Sequence, residues 1–266
     1  MSTVTNDVAY GPDPLQTLDV YQPEQANGAA LIDIHGGGWW FGDKAKDAGL
    51  ATRLAQAGYL VFAVNYRLAD SETRQNLYPT AVDDVQSAFA WVKSSAYEFD
   101  RSRIGFIGGS SGGNLAVEAS LLSGAPAVSW SGLLDLEGFM ARHEATVPEK
   151  RLLSELAASS SIDQNGSDDP YYKWVVLNYL GQDTTLLHEA TPIHRVTSAA
   201  GPMFLANSLK EFVPVDEPTT MQQALSAAGI PSRTVILQGT RHAEAYLSDV
   251  WAATLDFLAY YLPAKA

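Results

Sequence analysis

Short apolar runs alternate with amphipathic stretches along most of the chain, and this alternation is the strongest signal of its fold. The runs are rich in β-branched and aromatic residues, and several end in glycine, as strands do. They are apolar at consecutive positions, which is typical of parallel strands buried on both faces. We predict strands over 30–37, 59–68, 103–108, 125–132, 202–208 and 233–239, and helices over 44–58, 80–96, 112–124, 216–228 and 246–262.

Strands and helices in this order predict an α/β fold, with a mostly parallel sheet and helices on both faces. The alternation breaks between about residues 136 and 195, where two helix-like stretches, 149–159 and 171–181, lie in a more polar context. A connection of that length usually carries its own structure and is often functional. We therefore expect a core of residues 1–135 and 196–266 with an inserted helical cap, residues 136–195; a separate small domain is the alternative.

Charge and composition restrict the partners. The 266 residues carry a net charge of −13, which argues against binding to nucleic acids or anionic membranes. The absence of cysteine excludes disulfides, thiolate metal sites and cysteine nucleophiles. No apolar run reaches the roughly 18 residues of a membrane span, and the polar N-terminus shows no secretion signal. We expect a cytoplasmic protein with a small-molecule partner, and the oligomeric state stays open.

The segment GFIGGSSGGNLA, residues 105–116, places two serines among glycines where a predicted strand meets a predicted helix. Glycine weakens both kinds of element, so its repeated use here needs another reason. The pattern G-x-S-x-G between a strand and a helix is typical of a nucleophile elbow, in which a serine occupies a sharp turn. Centred on residues 109–113, the pattern predicts Ser111 as the nucleophile. A plain glycine-rich turn or a phosphate-binding loop is the alternative.

A second glycine-rich turn follows the first predicted strand, in HGGGWWFGDK, residues 35–44. Residues without side chains allow backbone N–H groups to turn inward and hold an oxyanion. We predict Gly37 and Gly38 from this turn, with Gly112 from the nucleophile turn, as the oxyanion donors. We expect His35 to hold the loop in place rather than to act in catalysis.

His242 lies in a loop between the last predicted strand and the last predicted helix. A nucleophile followed by a histidine near the end of the chain is one of the orders that serine hydrolases use. We therefore predict His242 as the general base. Aromatic residues flank these motifs, and we expect three of them to contact the substrate: Trp39, Trp40 and Tyr246.

These motifs resemble those of α/β-hydrolases of the hormone-sensitive-lipase-like and carboxylesterase branch, which includes feruloyl-esterase-like and kynurenine-formamidase-like proteins. The resemblance covers nearly the whole chain and includes HGGGWWFGDK (35–44) and GGSSGGNLA (108–116). Other matching segments are YGPDPLQTLDVYQP (10–23), VNYRLA (64–69), VSWSGLLDL (128–136) and GTRHAEAY (239–246). The resemblance implies a hydrolase that uses neither a cofactor nor a metal ion.

The chain departs from the family at the catalytic acid. The family carries an Asp in the loop after the strand at 202–208, and alignment on the pair Val213-Pro214 puts Lys210 at that position. A lysine can neither accept a hydrogen bond from imidazole nor stabilise imidazolium. Glu211 is next in sequence and has a longer side chain, so we predict that it serves as the acid. The alternatives are Asp135, Asp216, Glu217 or no acid at all.

Together with the resemblance, these residues predict a serine esterase that works through an acyl-enzyme intermediate on a small-molecule ester. An amidase, a lactonase or an arylformamidase would use the same serine chemistry. A non-hydrolytic protein that kept the fold is the remaining alternative, and the displaced acid is its only support in the sequence.

Overall fold

The computed structural model describes residues 3–151 and 169–263 of the chain. Its centre is a single sheet built from the strands β1 Thr3–Ala9, β2 Thr17–Gln22, β3 Ala30–Ile34, β4 Leu60–Val64, β5 Ile104–Gly109, β6 Ala127–Trp130, β7 Met203–Ser208 and β8 Ser232–Leu237. The strands lie in the order β1-β2-β4-β3-β5-β6-β7-β8. β1 pairs antiparallel with β2 and β2 antiparallel with β4, and the neighbours from β4 to β8 are parallel.

The mostly parallel sheet is confirmed, and each predicted strand is present with bounds that are shortened or shifted by a few residues. Two strands, β1 and β2, were not predicted. β1 is almost entirely exposed and has a mixed polar sequence, TVTNDVA, so it lacks the apolar run of a buried strand. It lies at the edge of the sheet and is paired on one side only, where hydrophobic patterning is weakest.

Helices cover both faces of the sheet, as predicted. They are α1 Ala48–Gln56, α2 Thr80–Ser94, α3 Ser111–Ser123, α4 Leu136–Arg142, α5 Asp169–Tyr179, α6 Leu187–Ala190, α7 Asp216–Ala227 and α8 Leu247–Tyr261. Successive side chains of a strand point to opposite faces. In β3, Leu31 packs in one core with α1 and α8, while Ile32 packs in the other with α2 and α3. α7 packs with α3 and β7 in a smaller cluster.

The carboxyl ends of the parallel strands lie at one edge of the sheet. Ile34, the last residue of β3, is opposite Gly108 of β5. Ser208, the last residue of β7, is opposite Leu237 of β8. The loops that carry the predicted site residues therefore leave the sheet on the same side, where open α/β sheets bind their ligands.

The segment predicted as a cap, residues 136–195, contains α4, α5 and α6 and no strand among its described residues. The helix predicted at 171–181 is confirmed by α5, which begins at Asp169. Most of the helix predicted at 149–159 lies outside the described residues. Buried side chains of α5 such as Tyr171, Val175 and Tyr179 belong to the same core as α2 and α3, so α5 packs directly on the main body.

Among the described helices, none combines the length and the apolar character that crossing a membrane would require.

Two buried acids lie near the carboxyl end of β3. Asp33 is in β3 and Asp47 lies just before α1, and they are 1% and 3% exposed. Burial raises the pKa of Asp33 well above its usual value, and the negative charges of Asp47 and Glu244 raise it further. Burial also raises the pKa of Asp47 to about 7, with Glu244 acting in the same direction and Lys46 against it.

We predict that Asp47→Asn increases the free energy of unfolding at pH 8 and changes it little at pH 4. Folding raises the pKa of this acid from 3.8 to about 7, so the native state binds more protons than the unfolded state between these values. Ionisation in the folded state therefore reduces stability as the pH rises through this window. The gain at pH 8 is on the order of 2 kcal/mol, to be measured by urea unfolding at both pH values.

Asp256→Asn is the matched control, because Asp256 is exposed on α8 and should give no pH-dependent gain. An Asp47→Asn effect of equal size at both pH values would contradict the assignment.

Candidate active site

β5 passes into α3 through a turn of one residue, Ser110. The backbone of Ser110 has φ 57° and ψ −126°, a positive φ that residues other than glycine rarely adopt and that is often found at functional sites. The turn is so tight that a Cβ atom on Gly108 would lie 2.5 Å from the carbonyl carbon of Gly112. Glycine is therefore needed on both sides, and the pattern G-x-S-x-G is satisfied by residues 108–112.

The structure contradicts the prediction that Ser111 occupies this turn. Ser111 is the first residue of α3 and is completely buried, whereas Ser110 is partly exposed. A nucleophile has to be reached by its substrate, and the Ser111 hydroxyl is closed off from solvent. The sequence holds the pattern in two overlapping registers, 108–112 and 109–113, and the backbone conformation selects the first. The geometry therefore favours Ser110.

His242 lies between β8 and the 3-10 helix Ala243–Tyr246. Its Nδ1 is 2.5 Å from the Oε2 atom of Glu211. Because a carboxylate accepts and cannot donate, Nδ1 carries the hydrogen, and in the neutral ring Nε2 holds the lone pair. Nε2 is buried and has no hydrogen-bond partner among the described residues. The imidazole is thus held on one side and able to accept a proton on the other.

This histidine is next to the nucleophile turn. A Cβ atom on Gly109, the residue before Ser110, would lie 2.9 Å from the Cβ atom of Ala243, the residue after His242. The two loops therefore meet at the carboxyl ends of the strands.

The Glu211 side chain is completely buried and points toward the histidine, while Lys210 is exposed to solvent. The second carboxylate oxygen, Oε1, accepts hydrogen bonds from the Ser208 N–H and the Ser131 hydroxyl, both at 2.7 Å. The backbone N–H of Lys210 donates to the carbonyl oxygen of Gly239 at 3.0 Å, which fixes the direction of the loop. The carboxylate has three donors, which offset the cost of its burial.

Ser131, which no sequence pattern indicated, connects the loop that carries Glu211 to the loop that carries His242. Its hydroxyl accepts the Ala243 N–H at 3.0 Å and lies 2.7 Å from the Tyr246 hydroxyl. Its backbone has φ 52°, an unusual value for serine. The matching segment VSWSGLLDL contained this residue, but only the sheet geometry shows that it meets residues about 80 and 115 positions away.

The other carboxylates proposed as the acid have different partners. Asp135 is the N-cap of α4 and accepts the Gly138 N–H at 2.9 Å. Glu217 accepts the N–H groups of Leu134 and Asp135, and burial raises its pKa to about 8. The exposed Asp216 pairs with Arg142 at 3.4 Å. None of these described contacts involves His242.

The loop after β3 lies against Ser110. A Cβ atom on Gly36 would be 3.2 Å from the Ser110 Cβ atom, closer to the serine than the other glycines of this loop. Gly37 follows with φ 133°, and its carbonyl accepts the N–H groups of Trp40 and Phe41 at 3.3 and 3.2 Å. No backbone acceptor pairs with the N–H groups of Gly36 or Gly37 in the described part of the chain.

Two of the predicted oxyanion donors pack tightly against neighbouring elements. A Cβ atom on Gly38 would lie 2.7 Å from Cγ1 of Val175, so Gly38 packs against α5. A Cβ atom on Gly112 would collide with the carbonyl oxygen of Ile34, so Gly112 allows α3 to pack against the end of β3. With Ser110 in the turn, the residue that follows the serine is Ser111, and its N–H belongs to the unpaired first turn of α3.

His35 stabilises the glycine loop, residues 36–38. Its Nδ1 donates to the carbonyl oxygen of Gly36 at 2.9 Å, and its ring stacks on Tyr66 with centroids 4.4 Å apart. Burial lowers the pKa of His35 to about 4, so the ring is neutral at neutral pH. These contacts agree with the predicted loop-holding role.

Two of the three aromatic residues expected to contact substrate are completely buried, which corrects that expectation. Trp39 stacks on Tyr179 with centroids 4.3 Å apart and has no exposed surface. The Tyr246 hydroxyl donates to the carbonyl oxygen of Ala206 at 2.8 Å inside the core. Trp40 remains partly exposed, and its ring meets Trp174 of α5 edge-on at 4.9 Å.

Aromatic rings connect α5 to the histidine. The Phe212 ring lies 4.7 Å from the His242 ring and stacks on Tyr172 of α5. Trp40 donates a hydrogen bond from Nε1 to the Tyr171 hydroxyl at 3.1 Å. α5 therefore borders the site on the side of both the glycine loop and the histidine.

Comparison with known proteins finds esterases. Among curated proteins, the chain is similar to the esterases LipC and LipQ of Mycobacterium tuberculosis, at 26% identity over 245 residues and 27% over 235. The alignments cover 83% and 85% of this chain but 54% and 53% of those proteins. The chain thus spans about half the length of the curated relatives it matches.

Solved structures show the same fold. A hormone-sensitive lipase from a metagenome library has a TM-score of 0.71 at 21% identity, covering 97% of this chain and 82% of that one. A truncated carbohydrate esterase from gut microbiota has a TM-score of 0.73 at 21% identity, covering 98% and 96%. The BD-FAE family model matches residues 18–225, most of the chain. The fold is that of the α/β-hydrolases, and the chain belongs to the BD-FAE family.

Proposed function

We propose that the chain hydrolyses carboxylic esters through an acyl-enzyme formed on Ser110. The observation that carries this proposal is the positive φ of Ser110 at the tip of a strand–turn–helix junction, next to an imidazole whose Nδ1 is held by a carboxylate. A strained, partly exposed serine beside such a histidine is the arrangement of serine hydrolases. Similarity to the esterases LipC and LipQ supports the ester as substrate.

The chemistry follows from these positions. The Ser110 Oγ attacks the ester carbonyl carbon while His242 Nε2 takes the hydroxyl proton. The imidazolium then gives this proton to the leaving alcohol, and the acyl group stays on Ser110. A water molecule, deprotonated by the same nitrogen, releases the acid and restores the serine. Glu211 holds the tautomer with the hydrogen on Nδ1 and stabilises the imidazolium.

The oxyanion donors are revised with the nucleophile. We assign the N–H groups of Gly36, Gly37 and Ser111 to the negative charge that develops on the carbonyl oxygen. Gly36 lies against Ser110, and Ser111 begins α3, where the helix dipole favours negative charge. The loss of one such donor typically costs about a hundredfold or more in kcat.

We further propose that residues 136–195 act as a cap over a pocket for a small-molecule ester. The support is that α5 contacts both loops of the site, through Trp40 on one side and Phe212 on the other. Apolar and aromatic walls with a few polar groups are typical of small-molecule pockets.

We predict that Ser110→Ala lowers kcat for p-nitrophenyl acetate hydrolysis by about a thousandfold or more, because the attacking oxygen is lost. Ser111→Ala removes a buried hydroxyl but keeps the backbone N–H, so kcat should stay within about tenfold of the wild-type value. Both variants are compared by steady-state kinetics, with circular dichroism and thermal unfolding to show that they fold. A large loss in Ser111→Ala and a small one in Ser110→Ala would reverse the assignment.

We predict that Glu211→Gln lowers kcat by about a hundredfold to ten-thousandfold, because an amide neither fixes the same tautomer nor stabilises the imidazolium. The matched control is Asp135→Asn, since this carboxylate caps α4 and pairs with Arg142 rather than His242, and kcat should be retained. Lys210→Ala, at the exposed neighbour of Glu211, should also leave kcat unchanged. If Asp135→Asn were the damaging change, the acid would have to be Asp135.

A further inference from the structure

Two histidines and a glutamate meet outside the site described above. Glu137 is on α4, His188 on α6 and His194 on the 3-10 helix Pro192–Arg195. His188 Nδ1 and His194 Nε2 lie 3.2 and 2.9 Å from the same atom, Oε2 of Glu137. The two nitrogens and the carboxylate oxygen are all within 4.8 Å of one another.

The three side chains contact one another and are open to solvent. The imidazole rings stack with centroids 4.4 Å apart and planes 15° from parallel. The Glu137 N–H donates to the hydroxyl of the buried Thr191 at 3.0 Å, which ties the start of α4 to the segment between the histidines.

We propose that Glu137, His188 and His194 bind a divalent transition-metal ion of the zinc class. Two imidazole nitrogens and one carboxylate oxygen are ligands that Zn²⁺ accepts in tetrahedral sites, with water in the fourth position. Magnesium and calcium prefer oxygen ligands throughout, so this set disfavours them. The side chains need small rotations to bring their ligand atoms to about 2.1 Å from one ion, and their exposure permits these rotations.

The ion would link two parts of the segment 136–195. It would join α4 to residues 188–194, and the next residue, Arg195, forms an ion pair with Glu118, which is buried on α3. Metal binding would therefore tie α4 to a segment already anchored on the helix that follows Ser110. The expected effect is on stability, which can be measured without any assay of hydrolysis.

The test is thermal unfolding of the tag-free chain with ZnCl₂, or with MgCl₂ as the control ion. At a hundredfold excess of Zn²⁺ over its Kd, the Tm should rise by about 5 °C or more, reversibly with EDTA, and Mg²⁺ should have no effect. The double variant His188→Ala/His194→Ala should lose the zinc-dependent shift and keep the metal-free Tm. The matched control His143→Ala alters a histidine that contacts Asp169 instead, and it should keep the shift.

Titration calorimetry should give one Zn²⁺ per wild-type chain. In the double variant the affinity for Zn²⁺ should fall by more than the about 10–100-fold that is typical when only a residue hydrogen-bonded to a metal ligand is changed. A zinc-dependent shift that persists in the double variant, or disappears in His143→Ala, would place the ion elsewhere and overturn the proposal. A wild-type chain that takes up no Zn²⁺ would overturn it as well, leaving the cluster as an ion pair only.

Discussion

The whole site depends on a steric constraint at the end of β5, where the chain turns through Ser110 and leaves no room for a side chain at Gly108 or Gly112. Gly108 and Gly112 nearly touch, and Gly112 also packs beneath the last carbonyl of β3. A positive φ at a serine costs about 1–3 kcal/mol and persists only where the surroundings enforce it. Here β5, paired within the sheet, fixes the backbone before Ser110, and α3 fixes the backbone after it. The result is a serine hydroxyl at the start of a helix, where free N–H groups and the helix dipole favour a developing negative charge.

A second constraint is the burial of a carboxylate beside the histidine. Glu211 is completely buried, and such a group is tolerated only when its oxygens are bonded. Ser131 directly after β6, Ser208 at the end of β7 and His242 in the loop after β8 supply three donors. These three donors hold the Glu211 carboxylate next to the imidazole, although Glu211 lies one position after the expected aspartate. The loop turns Lys210 to solvent, and the extra methylene of glutamate spans the remaining distance.

The sequence predicted the parts that follow from patterning, and missed those that follow from three-dimensional contacts. Consecutive apolar residues identified the buried strands, whereas the exposed β1 carries no such signal. Glu211 was identified because the chemistry demands a carboxylate near Lys210. The pattern favoured Ser111, but both serines satisfy it, and only the backbone angles place Ser110 in the turn. Tryptophan and tyrosine fit a pocket and a core equally well by composition, so the burial of Trp39 and Tyr246 could not be foreseen.

The most direct test of the central claim is to locate the serine that reacts covalently. The chain is incubated with a p-nitrophenyl alkylphosphonate, digested with trypsin, and the modified residue in the peptide 104–142 is identified by tandem mass spectrometry. We expect one phosphonyl group per chain, on Ser110, and an unmodified Ser111. Its formation should be suppressed when a slow ester substrate is present in excess. A phosphonyl group on Ser111 with Ser110 unmodified would contradict the account.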